Sequence, residues 1–208
     1  MSKEKEILEI AKQIRTMSQN GLIFSQDEYD IERYNELIVL SDKITSLLTG
    51  YNETEIQKSY KTATEYITPK VDIRAVVFND KDEILTVKER ADGLWSLPGG
   101  WADVGYSASE VAVKEVKEES GLDVKAVRLL AGMDMKQHNH PPLPYSVYKF
   151  FILCRIQGGK LSTAFDILEN GFFALDHLPP LSEERVLKEQ IELMLDLKNN
   201  PDKGTVFD

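Results

Sequence analysis

The stretch "VGYSASEVAVKEVKEESGL", residues 104–122, carries a cluster of glutamates in what the sequence predicts to be a helix. Ser107 and Glu110 have the spacing of a capping box, in which the two side chains bind each other's backbone N–H groups at a helix N-terminus. Gly121 supplies the residue type that most often ends a helix. The sequence therefore predicts a helix over residues 108–120.

Three glutamates of this helix, Glu115, Glu118 and Glu119, face the same side. At 100° per residue, Glu118 and Glu119 lie within about 60° of Glu115. The apolar stripe of the helix shares that side, whereas most other polar residues, Ser120 among them, lie opposite. The three carboxylates are therefore expected to point toward the body of the protein.

A run of glutamates and lysines on a helix is ordinarily a solvated face with ion pairs between neighbouring turns. Here, however, three carboxylates converge on a partly buried face, where they repel one another unless a cation lies among them. Hard oxygen ligands suit Mg²⁺ or Mn²⁺, which often share their coordination shell with substrate phosphates. The pattern predicts that Glu115, Glu118 and Glu119 bind Mg²⁺ or Mn²⁺.

With the residues that precede it, this helix resembles the 23-residue signature of the Nudix hydrolases, G-x5-E-x7-R-E-U-x-E-E-x-G-U, in which U is aliphatic. The matching positions are Gly100, Glu115, Val116, Glu118, Glu119, Gly121 and Leu122. Two positions depart from it, since Tyr106 replaces the first glutamate and Lys114 replaces the arginine. In the family these two residues commonly pair and brace the loop against the helix. Tyr106 and Lys114 are expected to make a neutral phenol contact or none.

The resemblance implies an enzyme in which Glu115, Glu118 and Glu119 are catalytic residues and ligands of the metal. The implied reaction is hydrolysis of the pyrophosphate bond in a nucleoside diphosphate linked to another moiety, of the ADP-ribose or CDP-choline type. The products are then a nucleoside monophosphate and a phosphorylated second molecule. A nucleotide-binding or regulatory module with little turnover is the alternative, and the substitutions at Tyr106 and Lys114 are its support.

The composition of the whole chain limits the kinds of binding partner that can be expected. A net charge of −10 and a pI of about 4.9 argue against an extended nucleic-acid surface. No apolar run reaches the length of a membrane span, and the N-terminus lacks a secretory signal, so we expect a cytoplasmic protein without a membrane anchor. The single cysteine, Cys154, lies in the apolar run "YKFFILCRI" and is predicted to be a buried strand thiol.

The chain contains two consecutive regions with different sequence patterns. Residues 1–66 are rich in helical periodicity, whereas residues 67–208 contain short β-rich runs, such as "VDIRAVVF", "LWSLPGG" and "GFFAL", with helices between and after them. We predict a strand over "LWSLPGG", a turn at "QGGK" and a final helix over "SEERVLKEQIELMLDLK". The expected fold is α/β: a small N-terminal helical domain and then, as the resemblance implies, a Nudix-type α/β/α sandwich with a mixed sheet.

The N-terminal region is predicted to form two amphipathic helices, interrupted mainly at Gly21 and Gly50. Together with the signature, it resembles a bacterial Nudix subgroup that carries an N-terminal helical domain. Two helices of this length are poorly stable alone, so a shared apolar face between subunits is expected. The sequence thus predicts a homodimer.

Five further residues are candidates for substrate binding. Arg74 and Arg90 flank the predicted site, and a guanidinium binds a diphosphate with two hydrogen bonds. Trp101 follows Gly100 directly and is expected either to stack on a base or to close its loop onto the core. His138 and His140 lie in the proline-rich stretch "KQHNHPPLPY", where exposure to solvent or contact with substrate is more common than metal binding.

Overall fold

A computed structural model describes residues 2–60 and 66–208. The chain divides into two compact units. The N-terminal unit comprises Met1–Pro69 together with Pro142–Ser146, and the C-terminal unit comprises Lys70–Pro141 and Val147–Asp208. No helix in the described residues has both the length and the apolar character that crossing a membrane requires.

The N-terminal unit is helical, as predicted. Its helices are α1 (Lys3–Phe24), α2 (Glu28–Thr49) and the short α3 (Glu53–Ser59). Side chains of Ser2, Asp27 and Asn52 cap their N-termini by accepting hydrogen bonds from first-turn N–H groups. Gly50 ends α2 in the left-handed conformation, as the sequence indicates.

Gly21 does not interrupt α1, contrary to the prediction. The helix continues through it to Phe24. A Cβ atom at this position would lie 2.6 Å from the ring of Tyr34 on α2, closer than real Cβ contacts come. Gly21 is therefore an interior helix residue that allows the Tyr34 ring to approach α1.

The contact between α1 and α2 is largely polar. Arg15 donates from Nε to Asp42 Oδ1 (2.5 Å) and from a terminal nitrogen to Gln19 Oε1 (2.5 Å), and all three side chains are buried. Tyr60 places its ring 3.8 Å from the Arg15 guanidinium carbon. Ser41, also buried, donates to the carbonyl of Ala11 (2.7 Å).

The apolar residues that give these helices their periodicity lie instead on the outside of this unit. We call this set the outer apolar stripe: its members recur at spacings of three and four, with one spacing of seven before Phe24, and are exposed or half-buried. They are Ile7, Ile10, Ile14, Met17 and Phe24 of α1 and Leu37, Leu40, Ile44 and Leu47 of α2.

The C-terminal unit contains eight strands and two helices among the described residues. The helices are α4 (Ala108–Ser120) and α5 (Lys188–Asn199), and two 3₁₀ turns lie at Met135–Gln137 and Leu175–His177. The strands are β1 (Lys70–Val77), β2 (Ile84–Glu89), β3 (Trp95–Ser96), β4 (Gly99–Trp101), β5 (Leu122–Asp134), β6 (Val147–Gly159), β7 (Ile167–Phe173) and β8 (Val206–Phe207).

These strands form two sheets. The larger has the order β4-β1-β6-β5-β8 and the smaller has the order β3-β2-β7. The larger sheet is mixed, because β1 pairs with β6 in parallel and with β4 antiparallel, while β5 pairs with β6 antiparallel and with β8 in parallel. The predicted mixed sheet is confirmed.

Each face of the larger sheet packs against one helix. Ile73, Ala75 and Val77 of β1 join the apolar cluster formed with α4, whereas Val76 joins the cluster formed with α5. This alternation follows from the two-residue period of a strand. Complete burial of a large aliphatic side chain contributes about 1.5–3 kcal/mol. The two clusters therefore stabilise the predicted α/β/α sandwich.

Three local predictions were wrong. "LWSLPGG" is not one strand, because β3 ends at Ser96 and β4 begins at Gly99. The "QGGK" segment does not turn at its glycines, since Gly158 and Gly159 pair with the start of β5. The last helix begins at Lys188, because Ser182 instead begins a turn in which its carbonyl accepts the N–H groups of the third and fourth following residues.

Candidate active site

Helix α4 has the limits that the sequence predicts. The Ser107 hydroxyl accepts from the N–H of Glu110, and the Glu110 carboxylate accepts from the N–H of Ser107 (2.8 Å), so the capping box forms. Gly121 ends the helix in the left-handed conformation. Both predicted ends of α4 are therefore confirmed.

The glutamates divide by exposure. Glu119 is buried and Glu115 is nearly so, but the Glu118 side chain is 56% exposed and lies at the edge of the inward face. Ser120, which the helical wheel places on the solvent side, is buried: its hydroxyl donates to the carbonyl of Val116 (2.6 Å). The chain covers it there, because Ser162 donates its N–H to the carbonyl of Ser120 (2.9 Å).

Glu119 is held against the start of β4. The N–H of Gly99 donates to Glu119 Oε2 (3.1 Å), and only 8% of the surface of Glu119 is exposed. Burial raises the pKa of Glu119 to about 8, and Glu115 and Glu89 add to this, while the positive charge of Arg74 opposes it. The helix thus carries a buried carboxylate whose negative charge is incompletely compensated.

The glycine pair before the helix allows the loop to approach this carboxylate. At Gly99, where φ is 155°, a Cβ atom would lie 2.0 Å from the carbonyl oxygen of Ile73, so no larger residue fits. At Gly100 a Cβ atom would lie 3.4 Å from Glu115 Oε1. The backbone of residues 99–100 therefore lies directly against the acidic side of α4.

Lys114 pairs with three carboxylates. Its Nζ lies 3.1 Å from Asp103 Oδ2 and 3.5 Å from the nearest oxygens of Glu115 and Glu118. The hydrogen bond that Lys114 donates to Asp103 and the charge of Glu115 raise the pKa of Lys114, which keeps the ammonium protonated. The Tyr106 ring lies 6.0 Å away, at the limit of a cation–π contact.

The loop keeps an ionic brace, although Tyr106 and Lys114 cannot form the family's ion pair with each other. Asp103, three residues before the position of the usual glutamate, supplies the carboxylate that Lys114 binds. Because the ion pair joins residue 103 to the middle of α4, it ties the loop to the helix. The sequence contained this signal, since Asp103 was the one acid available in the loop between Gly100 and Ser107.

Arg74 lies in a buried ionic network below the site. It donates to Asp72 (3.0 Å), to the Ser96 hydroxyl (3.1 Å) and to the carbonyl of Leu97 (3.1 Å). Lys149 approaches Asp72 from the other side (2.6 Å). Burial alone acts to raise the pKa of Asp72, but the two cations outweigh it and lower the pKa. These contacts are all with the protein, so substrate binding by Arg74 stays a prediction.

Glu89, at the end of β2, was missed by the sequence reasoning. Burial raises its pKa, although Arg185 lies 2.9 Å from its carboxylate and Arg74 also acts on it. Its charge also contributes to the raised pKa of Glu119. In the run "LTVKER" it had the pattern of an ordinary solvent-facing strand residue, and only the packing of the 182–185 turn reveals its environment.

Arg90 and Trp101 lie on exposed segments of the C-terminal unit. Arg90 donates from Nε to the carbonyl of Phe165 (3.0 Å) and from its N–H to that of Asp166 (2.8 Å). Trp101 is half exposed, with Lys70 Nζ 5.3 Å from its ring centroid. Substrate binding by these two residues stays a prediction.

The two histidines have different environments. His138 Nε2 lies 3.1 Å from Asp208 Oδ2. His140 is buried, with Nδ1 2.5 Å from the carbonyl of Glu183 and Nε2 3.0 Å from the amide of Gln190, and burial lowers its pKa to about 4. Of the two expected environments, exposure to solvent is wrong for His140, because the start of α5 covers it. Its contacts hold the histidine segment to this turn and helix. Substrate binding by His138 and His140 stays a prediction.

Cys154 is a buried residue of β6, as predicted, and burial raises the pKa of its thiol to about 12. A thiol of this pKa stays protonated at neutral pH, so it is an apolar core residue and is poorly suited to act as a nucleophile.

The residues of α4 fit a divalent cation by their chemistry. They provide carboxylate oxygens, the ligands that Mg²⁺ and Mn²⁺ prefer. Lys114 already places a positive charge 3.5 Å from two of them, and the buried Glu119 has a raised pKa that a cation would reverse. In residues 2–60 and 66–208, however, no three acids, histidines or cysteines lie close enough together to enclose an ion. Metal binding by these glutamates stays a prediction.

An acidic helix that follows a glycine loop and packs on a mixed sheet between two helical layers defines the class of hydrolases that the signature implies. Residues 68–194, more than half of the chain, match the profile of the NUDIX domain. Residues 5–60 match a second profile, described as a UDP-X-like, N-terminal oligomerisation domain. The chain belongs to the Nudix family and is a Nudix hydrolase, an enzyme family that generally uses divalent metals.

Similarity to known proteins covers most of the chain. The Bacillus subtilis (strain 168) protein named "Putative ADP-ribose pyrophosphatase YjhB" is 44% identical over 97% of this chain and 96% of its own length. An ADP-ribose pyrophosphatase of Streptococcus suis 89-1591, known from a crystal structure, is 48% identical, with a TM-score of 0.62 over 68% of this chain and all of that one. The crystal structure of a UDP-X diphosphatase is 32% identical and matches both chains in full, with a TM-score of 0.63.

Proposed function

We propose that this Nudix hydrolase cleaves the pyrophosphate bond of a nucleoside diphosphate linked to a second moiety, with ADP-ribose as the first substrate to test and CDP-choline as the next. The observation that carries the proposal is the arrangement of Glu115, Glu118 and Glu119 around one side of α4, with Glu119 held by the N–H of Gly99. Relatives named as ADP-ribose pyrophosphatases support the choice of substrate.

The three glutamates of α4 would have different roles because they differ in exposure. Glu118 is the most accessible carboxylate, whereas Glu119 and Glu115 are fixed by burial and by the adjacent loop. Together they would hold Mg²⁺ or Mn²⁺, which when bound polarises the attacked phosphorus and lowers the pKa of a water. Lys114, anchored by Asp103, keeps the loop of residues 101–106 beside the carboxylates.

The structure weakens the support for the binding-module alternative. That alternative depended on the loss of the family's loop brace at Tyr106 and Lys114, but Asp103 restores an ion pair between loop and helix. We therefore expect this protein to hydrolyse its substrate as an enzyme, as relatives with the usual glutamate and arginine do.

The direct test is Glu118→Gln, a change of the most exposed carboxylate that leaves the packing of α4 intact. We expect metal-dependent release of AMP from ADP-ribose, or of CMP from CDP-choline, to be nearly abolished, with an unchanged circular dichroism spectrum. The assay resolves the products by chromatography with Mg²⁺ or Mn²⁺ present. Activity of Glu118→Gln equal to that of the unsubstituted enzyme would refute the metal assignment. No release from any member of a panel of sugar, alcohol and dinucleoside diphosphates would favour the binding module.

We also propose a domain division at residues 66/67, with the N-terminal domain forming a homodimer. The support is the outer apolar stripe, an exposed apolar surface larger than solitary surface residues would give, together with the oligomerisation profile over residues 5–60. The spacing of three and four residues on both helices suits helix packing with a second copy of the same helices.

Two neighbouring substitutions on α2 test the dimer. Leu40 is 57% exposed and belongs to the outer apolar stripe, whereas Val39 is 54% exposed and points to another side of the helix. Light scattering should give a dimer mass for Val39→Glu and a mass near 23.6 kDa for Leu40→Glu. A monomeric unsubstituted protein at micromolar concentration would contradict the proposal.

A further inference from the structure

A cavity of about 470 Å³ opens on the larger sheet of the C-terminal unit, and the proposed reaction does not yet use it. Its walls come from the ends of β5 and β6 and from the C-terminal strand β8. The aromatic residues among them are Tyr148, Phe150 and Phe207. Its size falls within the range of small-molecule sites.

A glycine separates two of the aromatic rings. Gly132 of β5 pairs with Phe150 of β6 on one side and with Phe207 of β8 on the other. Paired residues on neighbouring strands point to the same face, so the Cα atoms of Phe150 and Phe207 lie about 9–10 Å apart with no side chain at Gly132 between them. The Phe150 ring leans toward Gly132, because a Cβ atom there would lie 3.6 Å from it. The result is a slot with an aromatic wall on each side. Phe207 is 78% exposed, so much of its ring is open to contact.

The charge of the lining disfavours a phosphate group. Asp134 and Asp208 contribute the charged side chains of the lining, and neither lysine nor arginine is among its residues. Asp208 Oδ2 accepts from the N–H of Asp134 (2.7 Å) and faces His138. Its second oxygen has no hydrogen-bond partner within residues 2–60 and 66–208 and is available as an acceptor. The site suits a flat, uncharged ring that carries a hydrogen-bond donor.

The slot is in line with the acidic helix. One row of paired residues crosses all five strands of the sheet: Gly100, Ile73, Phe150, Gly132 and Phe207. Gly100 lies against Glu115, and Ile73 belongs to the cluster packed by α4, so the row faces α4. Three strand spacings place Gly132 about 14 Å from Gly100. This separation is comparable to the length of an extended nucleoside diphosphate.

We propose that the slot between Phe150 and Phe207 binds the nucleobase of the substrate, and that the base is one with an exocyclic amino group, such as adenine. The inference rests on the proposed function for the position of the diphosphate at α4. Phe207 stacks on the base, and Asp208 accepts a hydrogen bond from the amino group, as carboxylates do from the amino group of cytosine in DNA. The C-terminal strand is then part of the substrate site.

Three variants test the slot with AMP as the probe, measured by calorimetry in the presence of EDTA. Phe207→Ala removes one wall, and we expect AMP to bind about 10-fold more weakly or worse. Gly132→Val fills the slot: a Cβ atom here would lie in ordinary contact, 3.6 Å from the Phe150 ring, so the fold should tolerate it. Val206→Ala is the control, because Val206 belongs to the same strand but points to the opposite face.

The pattern expected is unchanged AMP binding by Val206→Ala and weakened binding by both slot variants. Equal affinity in all three variants, or no saturable binding by the unsubstituted protein at millimolar AMP, would overturn the proposal. A comparison with IMP tests the amino group: AMP should bind more tightly than IMP, and Asp208→Asn should remove that difference. Equal binding of AMP and IMP by the unsubstituted protein would overturn the choice of base.

Hydrolysis measured on the same preparations separates this proposal from the function on which it rests. If AMP binding follows the expected pattern but no diphosphate substrate is cleaved, the proposed function fails and the base site stands. If ADP-ribose is cleaved and the KM values of Phe207→Ala and Gly132→Val equal that of Val206→Ala, the base site is wrong and the function stands.

Discussion

The burial of Glu119 predicts an unusual dependence of stability on pH in the metal-free enzyme. The pKa of Glu119 in the folded chain is raised to about 8, against an ordinary value of 4.5. Between these values the folded protein keeps a proton that the unfolded chain releases, so the free energy of unfolding falls as the pH rises. The slope is 1.36 kcal/mol per pH unit well below pH 8 and half of that at pH 8, where the folded carboxyl is half ionised, so the loss between pH 6 and pH 8 is about 2.3 kcal/mol.

Glu119→Gln removes the titrating group with little change of shape, so this part of the pH dependence should disappear. Urea unfolding in EDTA, followed by tryptophan fluorescence, measures it, since both tryptophans, Trp95 and Trp101, lie in the C-terminal unit. Relative to Glu119→Gln, the unsubstituted protein should lose about 2–3 kcal/mol from pH 6 to pH 8.

Glu118→Gln is the matched control, because it makes the same substitution on the same helix at a side chain that is exposed. Addition of Mg²⁺ should stabilise the unsubstituted protein more at pH 8 than at pH 6, because only the ionised carboxylate is a ligand. Parallel loss of stability in the unsubstituted protein and Glu119→Gln would show that Glu119 is already ionised at pH 6, and the reasoning would fail.

Three further predictions concern the fold around the site and the N-terminal helices. Gly99→Ala should destabilise the C-terminal unit by more than about 3 kcal/mol in urea unfolding, since its Cβ would clash with the carbonyl of Ile73; a loss below 1 kcal/mol would contradict the geometry. Because burial lowers the pKa of His140 to about 4, the unsubstituted protein should lose about 3 kcal/mol of stability as the pH falls from 6.5 to 4, and His140→Gln should lose correspondingly less. Asp42→Leu should destabilise the α1–α2 contact by about 3–5 kcal/mol, because it leaves Arg15 buried without a carboxylate. The double variant Asp42→Leu/Arg15→Leu should regain most of the lost stability. Hydrogen exchange of the α1 amides would measure the stability of both variants.

The sequence predicted the parts of the fold that depend on local rules. The limits of α4 followed from Ser107, Glu110 and Gly121, because caps act within one turn of the helix. The existence of β1 also followed, since "VDIRAVVF" is a β-rich run. Strand β8 was missed, because two residues without periodicity form a strand only through pairing with β5.

Residues at the site were harder to predict where distant segments decide their environment. The helical wheel placed Glu115 and Glu119 correctly on the inward side, but it misplaced Ser120, which a loop 42 positions later covers. The ion pair between Asp103 and Lys114 depends on the path of a loop, and the environment of Glu89 depends on the 182–185 turn. His140 became a buried residue through contacts with Glu183 and Gln190, which no local pattern indicates.

The position of Lys114 affects whether folding of this domain depends on metal binding. Many metal sites made of acidic residues assemble only when their ion arrives, so folding and metal supply are coupled. In this chain the ammonium of Lys114 already lies 3.5 Å from Glu115 and Glu118 and relieves their repulsion. The newly synthesised helix therefore carries its own counter-ion, and the domain can complete folding while the surrounding solution is poor in divalent metal.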